Sequence, residues 1–103
     1  MTGEIKGFDW DDGNRVKCQQ HGVSIAEVEE VFAGVVHAFP DVEHSQIETR
    51  FLAIGQTMKG RHVFLAFTFR SHGTERLVRP ISARYMHAKE VKHYEAQIAK
   101  PSE

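Results

Sequence analysis

Glu75-Arg76-Leu77-Val78-Arg79-Pro80-Ile81-Ser82-Ala83-Arg84-Tyr85-Met86-His87-Ala88-Lys89-Glu90 decides how the chain is read. Its first half, with apolar residues set between arginines, predicts a strand. Its second half, rich in Arg, His and Lys, predicts the start of a helix running from about Ala83 to Ala99. Pro80 has no N–H to give a ladder, so the strand is expected at a sheet edge or bulged there. A rigid strand–helix corner carrying several cations suits a ligand that contains phosphate.

Upstream of this corner lie two more strands, Arg50–Thr57 and Arg61–Arg70. Short turns at Lys59-Gly60 and Ser71-His72-Gly73-Thr74 join the three into an antiparallel meander. In Arg61–Arg70, Val63, Leu65, Phe67 and Phe69 share one face and Phe64 and Ala66 the other. That pattern predicts a central strand covered on much of both faces. Val35–Phe39, halted by Pro40-Asp41, is a further strand, and Asp41 to Glu48 is a polar loop. In the final helix His87, Val91, Tyr94 and Ile98 recur at helical spacing and are expected to face inward.

At the front, Ile5–Phe8 is a short strand followed by a helix over Gly13–Gln20, with Asp11 or Asp12 as cap and Gly22 beyond its end. Ser24 and Glu27 make a capping box at the head of a second helix, with Val23 and Val28 at staple spacing. Ile25, Val28, Val31 and Phe32 form its apolar face, and Gly34 closes it. The order β-α-α-β-β-β-β-α implies one α+β domain over residues 1–103, a small antiparallel sheet with two N-terminal helices and a C-terminal helix.

Composition narrows the function. The 103 residues are 41% hydrophobic, ordinary for a globular domain. No apolar run suffices to cross a bilayer, and no signal peptide is evident at Met1-Thr2-Gly3-Glu4. The lone Cys18 precludes an internal disulfide, and the cytoplasm is the expected compartment. A net charge of −1 hides an asymmetry: residues 1–48 hold three Lys/Arg against ten Asp/Glu, and residues 49–103 hold ten against four. Either the basic half meets an anionic partner or the halves neutralise each other across the fold.

Phosphate-cradling glycine loops, zinc-type Cys/His spacing and nucleophile elbows are absent. His44 with Glu48 is the nearest approach to a metal pair, and no metal or cofactor is expected. The remaining polar groups suit metal-free RNA cleavage, which needs a base, an acid and fixed cations around the phosphoryl oxygens. His21, His44 and His87 are side chains of the type that moves protons near neutral pH. Glu48 is a carboxylate base candidate. Arg50, Arg61, Arg76, Arg79 and Arg84 can each grip two phosphate oxygens, and Lys89 adds a cation. Each arginine could instead simply snorkel or pair with a carboxylate.

Phe8-Asp9-Trp10-Asp11, His21-Gly22-Val23-Ser24, Val31-Phe32, His44-Ser45 with Glu48 and Arg50-Phe51, Ile54-Gly55 with Thr57, Phe67-Thr68 and Ile81-Ser82-Ala83-Arg84 occur in that order. Together they resemble the BrnT family of bacterial type II toxins over roughly residues 7–95. The resemblance implies a RelE-like fold, RNA cleavage that stops translation, and a BrnA-like ribbon-helix-helix antitoxin as partner. It points to His21, His44, Glu48, Arg50 and Arg84 as conspicuous polar positions. The chain departs from the family's pattern in its first helix (Asn14, Lys17, Cys18, Gln20), at Arg79-Pro80, and at Tyr85-Met86-His87-Ala88-Lys89, where other members carry more arginine. Two functions follow as expectations. One is an endoribonuclease toxin acting on single-stranded or ribosome-associated RNA. The other is a catalytically weak, toxin-like binding module that acts through an antitoxin or nucleic-acid partner.

Overall fold

The structure, a computed structural model, describes residues 5–44 and 48–99. Ser45 of the polar loop and the tail from Lys100 lie outside the described residues. The elements are β1 (Ile5–Phe8), α1 (Asp12–Gln19), α2 (Ile25–Ala33), β2 (His37–Pro40), β3 (Phe51–Gln56), β4 (His62–His72), β5 (Glu75–Tyr85) and α3 (Ala88–Ala99), with a 3-10 turn at Val42–His44. The α+β class holds. The five strands form one sheet in the order β1-β5-β4-β3-β2.

The sheet is mixed rather than purely antiparallel. β1 runs parallel to β5, pairing Ile5 with Arg76 and Phe8 with Val78. A parallel partner must lie far away in sequence, and these two strands are separated by nearly the whole domain. The meander β3-β4-β5 is antiparallel as expected. β5 is longer than expected: Val63 pairs with Tyr85, so the chain stays extended two residues beyond Ala83, and α3 begins only at Ala88. Pro80 is accommodated by a bulge inside the sheet. Ala66 pairs with Ser82 and Phe67 with Pro80, which leaves Ile81 as the extra residue.

One face of the sheet is dry. Val63, Leu65 and Phe67 of β4, Ala53 of β3, and Val78 and Ala83 of β5 are buried with Cys18 of α1, Val23, and Val28 and Val31 of α2. Phe32 packs edge-on against both Phe8 and Phe67. α2 starts as its sequence dictates: Ser24 Oγ accepts from the Glu27 N–H, and Glu27 Oε1 accepts from the Ser24 N–H. Gly55 of β3 lets α2 come close, since a Cβ there would lie 2.7 Å from Val31 Cγ1. On the opposite face Thr68 is buried and Phe64 and Ala66 are half-buried, so β4 is covered on much of both faces, more completely on the side of Val63, Leu65 and Phe67.

That second face carries α3. None of its residues is buried, and Ile98 is half exposed, so the expected inward stripe of His87, Val91, Tyr94 and Ile98 is not a core stripe. Tyr94 is the contact residue: its hydroxyl meets His37 Nδ1, and its ring packs edge-on against His37 and His62.

Asn14, an unpredicted buried polar residue, ties α1 to β5. Its side-chain oxygen accepts from the Asp11 N–H at 2.7 Å, while its amide donates to the carbonyls of Asp9 (2.9 Å) and Pro80 (2.8 Å). One side chain thus caps the helix and satisfies the bulge.

Candidate active site

Four of the candidate residues meet at the end of β5. His21, Arg61, Arg84 and His87 line a cavity of about 310 Å³ together with Tyr85 and Met86. The link between α1 and α2 brings His21, the start of β4 brings Arg61, and the link from β5 to α3 brings His87. Gly22, at φ +89°, turns the chain immediately after His21.

Tyr85 is the post on which this cavity is built. Its hydroxyl donates to Glu27 Oε1 at 2.6 Å and also lies 3.3 Å from the Gly22 carbonyl. The Arg61 guanidinium stacks 3.4 Å from the centre of its ring. Hydrogen bonding to Tyr85 holds the Glu27 carboxyl below its ordinary range, with the Ser24 backbone N–H adding to the effect. The same bond raises the Tyr85 phenol.

Arg84 is held by Glu90. Its Nη1 and Nη2 donate to the two carboxylate oxygens at 2.8 and 2.9 Å, a forked pair on a side chain that is 39% exposed. Nη1 also reaches the Tyr85 carbonyl at 3.4 Å. These contacts use three of the five guanidinium N–H groups, leaving two for a ligand. Glu90 Oε1 accepts from the His87 N–H as well, at 2.9 Å. The Arg84 guanidinium, then the His87 N–H, lowers the Glu90 carboxyl to about 2, and Glu90 in turn raises Arg84.

A second cluster lies farther back along β5 around Arg79, five residues or ~15 Å before Arg84. Glu48, Arg50 and Arg79 line a cavity of about 280 Å³ there with Lys17, Asn14 and Arg70. Arg70 pairs with Glu48 through Nη1 and Nη2. Arg79 is held by Asp11 at 2.8 Å and Asp9 at 3.5 Å. Glu48 and Arg84 therefore line different cavities.

The other candidates are elsewhere. His44 pairs with Asp41 at 3.0 Å on the 3-10 turn. The Arg76 guanidinium carbon lies over Phe69, 3.7 Å from the ring centre, and Lys89 is exposed on the first turn of α3. None of the three lines either cavity. Cys18 is buried, and desolvation pushes its thiol up to about 11, so it is not a nucleophile. No group of three His, Cys, Asp or Glu side chains among the described residues is placed to hold a metal ion. Among the same residues no helix is long and apolar enough to cross a membrane.

Sequence reasoning missed Tyr85, Lys17, Arg70 and Glu90. Glu90 had a readable signal: His87 and Glu90 stand at the N-cap and third positions of α3, the spacing of half a capping box.

No curated protein matches the chain. The family model described as "Ribonuclease toxin, BrnT, of type II toxin-antitoxin system" matches residues 10–90, a span that contains both cavities, and the chain belongs to that family of ribonuclease toxins.

Proposed function

We propose that the protein cleaves RNA without a metal ion at the cavity formed by His21, Arg61, Arg84 and His87, and that this cleavage arrests translation and growth. The observation that carries this reading is the meeting of two imidazoles and two guanidiniums at one opening, delivered by the α1–α2 link, the start of β4, the end of β5 and the β5–α3 link. The 2′-hydroxyl of a ribose attacks the adjacent phosphorus, forming a 2′-O–P bond while the P–O5′ bond breaks. His21 takes the hydroxyl proton and His87 gives one to the departing O5′. Arg84 and Arg61 meet the charge that gathers on the non-bridging oxygens, the part a metal ion plays in other nucleases. The products are a 2′,3′-cyclic phosphate and a 5′-hydroxyl.

The substrate is a single strand, free or on the ribosome, because an unstacked strand exposes the sugar. The cavity lined by Lys17, Arg50, Arg70 and Arg79 suits a neighbouring phosphate of that strand. A RelE-like classification, a BrnA-like ribbon-helix-helix antitoxin and a cytoplasmic setting belong to the same proposal.

Arg84→Ala should abolish growth arrest while circular dichroism shows a folded protein. Full toxicity from that folded variant would overturn the assignment. Cleavage of purified RNA should persist in a chelator; its loss there would point to metal-dependent hydrolysis.

One observation favours a second reading, a catalytically weak binding module: Glu90 already neutralises Arg84. Intact cellular RNA and normal growth at high expression would select it.

A further inference from the structure

Along the later turns of α3, past Glu90, a groove of about 580 Å³ runs between the end of α2, the start of β2, the β3–β4 turn and α3. Three of the large apolar side chains that the fold leaves in solvent converge on it: Val35 (80% exposed), Met58 (85%) and Ile98 (50%). Its described lining carries two carboxylates, Glu30 and Glu95, and no Lys or Arg. Glu30 is fixed in place by accepting the Met58 N–H at 3.0 Å.

We infer that this groove docks a polypeptide segment whose apolar side chains are flanked by Lys or Arg, of the kind an antitoxin would present. RNA is the wrong ligand, since its phosphates would face two carboxylates and no permanent Lys or Arg charge, with only the His37 and His62 imidazoles beside them. A second copy of the chain is also disfavoured, because a two-fold contact of this groove with itself would pair two acidic patches whose described lining holds no Lys or Arg to offset them. An amphipathic helix laid in the groove fits both features: its apolar face covers Val35, Met58 and Ile98, and its cations meet the rim.

Only the source of the segment rests on the toxin–antitoxin reading, and the test involves no RNA cleavage, so its failure would leave the ribonuclease proposal standing. The probes are two synthetic helical peptides sharing one leucine face, one with lysines and one with glutamates on the polar side, and a short oligoribonucleotide. Methyl resonances of the intact chain are followed by NMR. The lysine peptide should bind about tenfold tighter than the glutamate peptide. It should shift the methyls of Val35, Met58 and Ile98. Met58→Asp with Val35→Asp, both at exposed positions, should remove the binding with the amide spectrum otherwise unchanged. Glu30→Lys with Glu95→Lys should reverse the peptide preference. Absent or equal binding of the two peptides, shifts confined to other methyls, or oligoribonucleotide shifts at these three would overturn the inference. So would sedimentation showing a dimer that Val35→Asp dissociates.

Discussion

Asn14 shows how much a single amide can hold. It is 7% exposed, and its three hydrogen bonds leave Asp11 N, Asp9 O and Pro80 O satisfied. Asn14→Ala strands those groups in a half-buried corner and should cost about 2–4 kcal/mol in urea denaturation. Glu90 offers a sharper measurement. Its carboxyl is depressed from 4.5 to about 2 by Arg84 and the His87 N–H. The pairing therefore contributes fully above about pH 4.5 and is lost as pH falls through about 2. NMR titration should place the Glu90 midpoint near that low value, and Arg84→Ala should return it toward the ordinary carboxylate range. The residue types of the site were legible in the sequence, because Arg and His advertise their chemistry. A cationic corner at the end of β5 was legible too, but not that His21 and Arg61 join it or that Glu90 clamps Arg84. With the helix begun at Ala83, Arg84 and Glu90 would lie six positions apart on different helical faces; with Tyr85 still in the strand, the intervening turn folds Glu90 back onto Arg84.

The elements divide along the same line between local and distant causes. Ser24 and Glu27 announced α2, and the turns at Lys59-Gly60 and Ser71–Thr74 announced the meander, because each signal lies within a few residues of its effect. The parallel pairing of β1 with β5 had no such signal: four residues carry little pattern, and their partner is some seventy positions away. The seat of α2 on β3 depends on Gly55. Gly55→Ala puts a Cβ against Val31 Cγ1 and the backbone of Val35, and should lower stability by about 1–3 kcal/mol. Gly34→Ala, where a Cβ meets nothing within 4 Å, should change the melting temperature little. Equal effects of the two variants would contradict the close approach of α2 to β3.

At the scale of the molecule, both readings of the charge asymmetry find support. Acids of the front half are spent on basic or phenolic partners behind them: Asp9 and Asp11 on Arg79, Glu48 on Arg70, and Glu27 on Tyr85. What that neutralisation leaves is local, not global: two cation-lined cavities along β5 and an acidic groove beyond α3. A chain of net charge −1 can thus still hold a polyanion. If it does, the logarithm of single-stranded RNA affinity should fall with the logarithm of salt concentration, and Arg84→Ala should flatten that slope by about 0.7. An unchanged slope would place Arg84 outside the backbone contacts. Glu90, finally, fastens two things with one carboxylate: the first turn of α3 through the His87 N–H and the guanidinium of Arg84. Fraying of that turn and release of the arginine are one mechanical event, so whatever tugs on the last helix also sets the tension on the cation at its foot.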